Sequence, residues 1–436
     1  MVSPKKNEKL LASAGRMAGF LAGALDLDLS LELWDGTRIP LGSTVSDDLR
    51  LYVSGPGVVG ALVRRPTLDR FIDLYANGLI GIKGGTVVDV GERLAGKRTH
   101  RGFKSIGKRR LAGALLPFLF VAAEKPDHGR AYQGDAGGEG RTAGDHKKFI
   151  SFHYDVGNAF YQLFLDPEMQ YTCAYFHDWN ETLEQAQLNK MEMICRKLRL
   201  KPGERMLDVG CGWGGLACYA ARTYGVSVYG VTLSQAQVDY ANENIARLGL
   251  QDKVVIEYKD YIDATGSYDK IAAIGIGEHL GVANYPRYFT KMRSLLADGG
   301  LFLNHANTRP AKRVKRKFGM RPEQRALRKY IFPGAEPDNI GNTISVMESH
   351  GLEVRDVENW RDYYALTTRM WCERLTANKD KAIALVGPQT YHMWVAYLGG
   401  CSLAFTRNTI NIFQTLAAKS GCGPAPLPPT RADLYR

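Results

Sequence analysis

The sequence predicts an α/β protein: a doubly wound, mostly parallel sheet preceded by a small α+β domain. Three observations carry that prediction. Five short apolar runs, RMLDVG at 205–210, VSVYGVTL at 226–233, KVVIEYKD at 253–260, YDKIAAIG at 268–275 and GLFLNHAN at 300–307, alternate with helical stretches such as SQAQVDYANENIARLG at 234–249. Such alternation implies parallel strands joined by crossover helices. A glycine-rich turn, LDVGCGWGGLACYAA at 207–221, links the first run to an alanine-rich helix, and ligands of such sheets bind at the carboxyl ends of the strands. Residues 125–147, KPDHGRAYQGDAGGEGRTAGDHK, are rich in glycine and charge and poor in aliphatics, and read as a linker. The domains are therefore expected at 1–124 and 148–436, with the linker at 125–147 between them.

In chain order, SLELWDGTRIPLG at 30–42 predicts a hairpin, because Asp35-Gly36 supplies the chemistry of a tight turn. Helical patches follow at 57–76. In the larger domain Thr182, three residues before Gln185, opens a helix with a capping box, and Pro202-Gly203 closes that region.

The chain has 436 residues, 45% hydrophobic and 23% charged, which suits two globular domains. Its seven cysteines are odd in number and scattered, without a Cys-x-x-Cys pair, so neither a disulfide framework nor a metal site is expected. No signal peptide is recognisable, and a cytoplasmic location fits. The net charge of +12 points to an acidic partner. Residues 96–110, GKRTHRGFKSIGKRR, hold seven Lys or Arg and no acid, and they run into thirteen largely apolar residues at 111–123. That run is too short to span a bilayer, which takes about 20 residues. It suits either an anionic membrane face or a core helix behind a solvated charged one. A second basic cluster at 311–329 favours the anionic partner, and no nucleic-acid motif is present.

Gly210, Gly212 and Gly215 satisfy G-x-G-x-x-G. A phosphate loop is excluded because no Gly-Lys-Ser/Thr follows. A dinucleotide would want an acid at the end of the second strand, where Thr232 and Ser234 stand instead. Asp208 and the pair Asp260-Tyr261 suit an adenosyl ligand without a pyrophosphate, for which S-adenosylmethionine is the natural candidate; the glycines alone would equally permit tight strand–helix packing.

Flanking motifs add specificity. FHYDVGNAFYQLFLDPEMQYTCAYF at 152–176, LDVGCGWGGLA, GVTLSQAQ at 230–237, GIGEHLG at 275–281, FLNH ending at His305, YIFPG at 330–334, TTRMWCERL at 367–375 and YLGGCSLAF at 397–405 occur in this order. Together they resemble the cyclopropane fatty-acyl-phospholipid synthases and the mycolic acid cyclopropane synthases, strongly over 150–418 and weakly over the first 95 residues. The resemblance implies a seven-stranded S-adenosylmethionine methyltransferase sheet. It also implies transfer of a methyl carbon from that cofactor to the cis double bond of an acyl chain, with loss of a proton to close a three-membered ring. Cofactor contacts are implied at Tyr171, Thr172, Gly210, Gly212, Thr232, Leu233, Gln237, Asp260 and Tyr261, with Asp208 orienting the turn and Ser234 capping the helix that carries Gln237. A bound bicarbonate ion is implied as the base, held by Cys173, Glu278, His305 and Tyr364 with backbone help near residue 307. Cys401 sits in a matching motif and is kept as a fifth catalytic candidate, although methyl transfer to an alkene needs no covalent intermediate. Tyr171, Tyr175, Phe176 and Tyr364 are candidates to steady cationic charge.

The chain departs from the family where Ala306 and Asn307 follow His305 in place of Thr and Ile, so a methyl-branched or methylene product stays open beside the ring. A methyltransferase for heteroatoms would have no use for the Cys, Glu, His and Tyr set, and a lipid-binding scaffold without catalysis would not need the glycine turn. The expected partners are an anionic phospholipid membrane with its unsaturated acyl chains, at the inner face, and a second copy of the chain as a homodimer. Replacing Lys108, Arg109 and Arg110 by Gln is expected to weaken binding to anionic vesicles in a flotation assay, as is added salt; indifference to both would remove that stretch from the membrane contact.

Overall fold

The computed structural model of the protein describes residues 3–95, 108–123, 156–311, 331, 336–421 and 427–435. The expected linker at 125–147, the basic residues 96–107 and 312–329, the HYD of the 152–176 motif and most of YIFPG lie outside the described residues. The chain divides into two compact units, one comprising Met1–Ala131, Gly319–Ile331 and Cys372–Leu403, the other Tyr132–Phe318, Phe332–Trp371 and Ala404–Arg436.

The first unit opens with helix α1 (Pro4–Leu25), whose proline at the first turn costs no hydrogen bond and which buries Leu10, Ala14, Ala18 and Leu25. A four-stranded sheet follows in the order β2-β1-β3-β4, from β1 (Ser30–Glu32), β2 (Arg38–Pro40), β3 (Arg50–Val53) and β4 (Ile80–Lys83). The predicted hairpin is β1–β2: Gly36 takes φ 88°, and the Thr37 N–H donates to Asp35 Oδ1 at 3.0 Å. Helices α2 (Pro56–Arg64), α3 (Leu68–Ala76), α4 (Val87–Leu94) and α5 (Lys108–Leu115) complete the N-terminal part, and a 3₁₀ turn, Leu116–Phe120, follows α5. The apolar run at 111–123 is split by this turn. Ala114, Phe118 and Val121 are buried, while Leu116, Leu119 and Phe120 face outward.

The unit is not contiguous in sequence because 372–403 packs into it. A Cβ on Gly91 of α4 would lie 2.2 Å from Leu403 Cδ1, so the glycine permits the close approach, and the ring of His392 stands 3.1 Å from the Ala76 carbonyl.

The second unit holds a seven-stranded sheet in the order β10-β11-β9-β8-β5-β6-β7. Its elements in chain order are α6 (Leu183–Leu198), β5 (Arg205–Val209), α7 (Gly215–Tyr224), β6 (Ser227–Thr232), α8 (Gln235–Leu248), β7 (Val254–Tyr258), β8 (Tyr268–Ile274), α9 (Gly277–Leu280), α10 (Tyr285–Leu295), β9 (Leu296–Thr308), α11 (Ile340–Ser349), β10 (Leu352–Asn359), α12 (Arg361–Ala377), α13 (Lys379–Thr406) and β11 (Asn411–Lys419), with the C-terminal end of α12 and most of α13 belonging to the first unit. All five strands read from the sequence are present and mutually parallel; β11 pairs antiparallel with both β9 and β10. Alternation along β5 shows that both faces are covered: Met206 joins the core with α6, α7 and α8, and Leu207 and Val209 join the core with α10 and α11.

Two details differ from expectation. Thr182 caps α6, accepting from the Gln185 N–H at 3.2 Å, but the Gln185 side chain turns to Asn189 instead of closing the box. Ser234 stands at the start of α8 without a side-chain cap bond.

Candidate active site

The glycine turn is a left-handed backbone excursion between β5 and α7. Gly210, Gly212 and Gly214 take φ of 71°, 56° and 81°, a region in which a Cβ is strained. A Cβ on Gly210 would meet Ile276 at 2.0 Å, and one on Gly215 would meet the Glu168 carbonyl at 2.3 Å, whereas one on Gly212 meets nothing within 4 Å. The turn is thus pinned on two sides and open on the third. That side gives onto a cleft of about 660 Å³, part of it open to solvent, at the carboxyl ends of the strands.

Gly210, Gly212, Thr232, Leu233, Gln237, Asp260 and Tyr261 all line this cleft, so the structure brings together seven of the nine residues expected to bind cofactor. Val209, Val231, Ile276 and Leu280 supply apolar walls suited to an adenine ring, and the open backbone at Gly212 leaves room for a ligand to touch the main chain. The residues present therefore fit an adenosyl group. Gln237 is buried, and its Oε1 accepts from the Thr232 hydroxyl at 2.6 Å. Thr172 adjoins the cleft, its Cγ2 standing 3.2 Å from where a Cβ of Gly275 would be. The Tyr171 ring packs on Tyr161 at 5.2 Å, and Tyr161 packs on Trp213 of the glycine turn at 4.9 Å.

Beneath the turn lies a charge cluster that the sequence reading missed. Lys190 of α6 is 1% exposed, and its ammonium donates to Gln170 Oε1 at 2.5 Å and Thr172 Oγ1 at 2.8 Å. Burial pulls this lysine down to about 8, against the pull of Asp166, Cys173 and Asp208, and pushes the Asp208 carboxyl up to about 7. Gln187, one helical turn earlier, donates to the Thr172 carbonyl at 3.0 Å. Asp208 orients no turn hydrogen bond; it sits inside the fold as part of this cluster, with Oδ2 unpartnered.

The acid–base candidates gather around two anchors. Trp360 is the first. The buried Cys173 thiol lies 3.7 Å from its carbonyl and the His305 ring meets its indole edge-on at 4.9 Å, while the Tyr364 N–H bond to the same carbonyl at 3.0 Å is the backbone bond that opens α12 and fixes the main chain, not the phenol. Asn307 is the second: its Nδ2 donates to Glu278 Oε1 at 2.6 Å, and it stands two residues beyond His305, hence on the same face of β9. Glu278 Oε2, His305 Nε2 and Asn307 Oδ1 are all shut from solvent without a hydrogen-bond partner. Three buried polar atoms left unsatisfied in one neighbourhood mark a place for a small polar occupant. Burial pushes the Cys173 thiol and the Glu278 carboxyl up and holds His305 neutral.

A relay fixes the His305 tautomer. Lys197 of α6 is 1% exposed and donates to Gln414 Oε1 at 2.8 Å, which settles the orientation of that amide. Gln414 Nε2 therefore faces His305 Nδ1, 3.3 Å away, as a donor. A neutral imidazole that accepts at Nδ1 carries its proton on Nε2, so His305 presents a hydrogen-bond donor at its unpartnered nitrogen.

Cys401 is placed elsewhere. It lies on α13 within the first unit, and burial pushes its thiol up to about 12, which favours the protonated form. The Tyr175 ring lies tilted against Trp360 at 4.8 Å and Phe176 tilted against Tyr363 at 6.2 Å. Tyr364 packs on Phe405 at 4.6 Å and on Trp371 at 6.0 Å, and Trp371 meets Tyr171 at 5.2 Å, which makes one aromatic wall from Phe405 to the cofactor side.

Comparison with known proteins shows which families the chain resembles. Residues 142–415 match the family model described as mycolic acid cyclopropane synthetase. A probable fatty acid methyltransferase of Pseudomonas putida is 38% identical over 95% of this chain and 98% of its own length. The cyclopropane-fatty-acyl-phospholipid synthase of Escherichia coli K12 is 37% identical over 61% of this chain and 66% of its own length. Among solved structures, the mycolic acid cyclopropane synthase CmaA1 in complex with SAH and CTAB is 31% identical, covers 63% of this chain and 98% of its own, and has a TM-score of 0.59.

The relay predicts the outcome of one substitution. Gln414→Glu keeps an acceptor for Lys197 but turns a second acceptor toward Nδ1, so ¹⁵N NMR of His305 is expected to report the proton on Nδ1 in the variant and on Nε2 in the parent; the same tautomer in both would refute the relay.

Proposed function

Since the chain belongs to the mycolic acid cyclopropane synthetase family, whose members are S-adenosylmethionine-dependent cyclopropane and methyl fatty acid synthases, we propose that it transfers a methyl carbon to the cis double bond of an unsaturated phospholipid acyl chain and closes it to a cyclopropane. S-adenosylmethionine, when bound, supplies the electrophilic methyl. Gly210, Gly212, Thr232, Leu233, Gln237, Asp260 and Tyr261 hold it, with Tyr171 and Thr172 closing the near side.

An isolated alkene is a weak nucleophile, so the protein must orient it and keep water from the carbon cation that methyl transfer creates. The aromatic wall of Tyr171, Trp371, Tyr364 and Phe405 serves both ends: it is dry enough for hydrocarbon, and its ring faces favour a nearby cation. The remaining step is removal of a proton. The observation that carries this reading is the set of unsatisfied atoms at Glu278, His305 and Asn307. A bicarbonate ion held there would accept the His305 Nε2 proton as a hydrogen bond, donate its own hydroxyl to Glu278, and lie within the polar neighbourhood of Cys173 and Tyr364. The fully protonated thiol of Cys173 acts as a weak donor in this scheme, not as a base.

The enzyme is expected to work as a peripheral protein on the cytoplasmic face of an anionic membrane, as a homodimer. Among the described residues no helix is long and apolar enough to cross a bilayer, and the formal charge is +12.

A second reading concerns the product. The Asn307 amide already occupies one oxygen of Glu278, and relatives matched over nearly the whole chain are described as probable fatty acid methyltransferases. Both favour a cation that loses a different proton and leaves a methyl-branched or methylene chain.

Mass spectrometry of phospholipid fatty acids, with labelled methionine and with or without the gene, tests the function: a gain of one CH₂ at the expense of a double bond is expected, and no labelled lipid would refute it. Glu278→Gln is expected to lower turnover at least about a hundredfold while S-adenosylhomocysteine affinity stays within about tenfold; unchanged turnover would take the carboxylate out of the mechanism. Asn307→Ile frees Glu278 Oε1 and is expected to raise the ratio of ring to branched product severalfold, read on the same lipid extract. An unchanged ratio would remove Asn307 from product choice.

A further inference from the structure

Within the first unit, helix α1 and the 3₁₀ turn Leu116–Phe120 build a surface that the catalytic reading does not use. Phe120 is 73% exposed, Leu116 54% and Leu119 41%. Of the ten large apolar side chains exposed among the described residues, these three fall within five consecutive positions. They are held outward by construction. Phe118, between them, is fully buried edge-on against Trp34 at 6.4 Å, and the Arg64 guanidinium donates to the Leu119 carbonyl at 2.7 Å and also to that of Val121. A turn whose backbone is tied from inside cannot fold its apolar side chains away.

Facing the turn, Lys6, Lys9 and Arg16 project from one side of α1 at spacings of three and seven residues, which a helix places on one face. With Leu10, Pro117 and Phe120 they enclose a concavity, and the Lys6 ammonium reaches the Phe120 carbonyl at 3.3 Å. No acidic side chain pairs with these three cations among the described residues.

We propose that this surface docks the protein on an anionic phospholipid bilayer: Leu116, Leu119 and Phe120 enter the boundary between headgroups and acyl chains, while Lys6, Lys9 and Arg16 take lipid phosphates. Apolar side chains ringed by cations are the composition that a headgroup layer accepts, with a few ångströms of insertion and electrostatic attraction acting together. A second copy of the chain is a poor occupant. A two-fold contact through this face sets Lys6, Lys9 and Arg16 against their own images, and five residues of turn supply far less than the roughly 800 Å² per partner that stable interfaces bury. Nucleic acid would satisfy the cations but give leucine and phenylalanine side chains nothing to enter. The inference rests on the lipid substrate proposed above, yet it is read by binding, without turnover.

The test is flotation of the full chain with vesicles of phosphatidylcholine alone or with phosphatidylglycerol. The parent is expected to float with the anionic vesicles. Leu119→Ser with Phe120→Ser is expected to lower partitioning at least tenfold at every salt concentration, and Lys6→Gln, Lys9→Gln and Arg16→Gln together to weaken its salt dependence. The fold is checked by S-adenosylhomocysteine affinity and melting temperature, both within experimental spread of the parent. As a second variant that keeps apolar bulk, Phe120→Trp should bind as the parent does and shift its emission to the blue on anionic vesicles only. Parent-like flotation of the double serine variant would overturn the proposal, as would conversion of a lipid-free dimer to monomer by that variant, which would make the face a contact between copies. Absence of lipid methylation with vesicle binding intact would strike the proposed reaction and leave this surface standing.

Discussion

Two buried ammonium groups on one helix organise the catalytic unit. Lys190 and Lys197 lie seven residues apart on α6, two turns along the same face, and each is 1% exposed. An ammonium taken out of water is tolerated only where its protons are all received. Lys190 therefore draws in Gln170 and Thr172, which sets the segment carrying Tyr171, Thr172 and Cys173 against the glycine turn. Lys197 draws in Glu358 of β10 and Gln414 of β11, and its charge lies 5.3 Å above the Trp360 ring. One lysine thus braces the segment beside the glycine turn and the other the strands beside His305. The helix between them fixes the distance from one to the other.

This arrangement also explains why the antiparallel end of the sheet matters to chemistry. In the parallel portion, the strands deliver their residues by ending at the cleft, which is general to doubly wound sheets. His305 is different: it lies within β9, paired to Gln414 across the β9–β11 ladder, and the amide opposite decides which ring nitrogen keeps the proton. A chain ending at β9 would carry the same histidine with its tautomer unset.

What the sequence made legible follows the same division. The five parallel strands were readable because burial on both faces makes them continuous apolar runs, and the ends of two of them located Thr232 and Asp260, whereas Glu278 and His305 came only with the family resemblance. β10, LEVRDVEN, alternates polar with apolar residues at a sheet edge, and β11, NIFQTLAAK, places Gln414 and Thr415 inside, so neither carries that signal. Lys190 and Lys197 were hidden for a related reason: a lysine in an amphipathic helix ordinarily reads as solvated, and only the tertiary acceptors reveal otherwise. Cys401 shows the converse. Its motif was visible, but 372–403 packs within the first unit, and a motif does not state which unit its backbone joins. Ser234 offered a cap by residue type and left it unused, while Gln237, three residues on, spent its amide on Thr232.

The unsettled balance of forces at Glu278 is where this chain acquires its individuality. Burial raises the carboxyl and so favours the protonated form, while the Asn307 amide and backbone favour the carboxylate. With an apolar residue at 307 only burial and backbone would act, and Glu278 would be free to rotate toward whatever its site holds. Asn307 removes that freedom: Oε1 is committed, and Oε2, like His305 Nε2 and Asn307 Oδ1, is buried without a partner. The site then offers an anion one donor from the histidine and two acceptors nearby, a less accommodating set than a loose carboxylate would give. A cation beside a poorly held base lives longer, and a longer-lived carbon cation has time to shift its charge along the chain before a proton leaves. On the proposed reaction, product identity turns on how firmly the Asn307 amide restrains the Glu278 carboxylate.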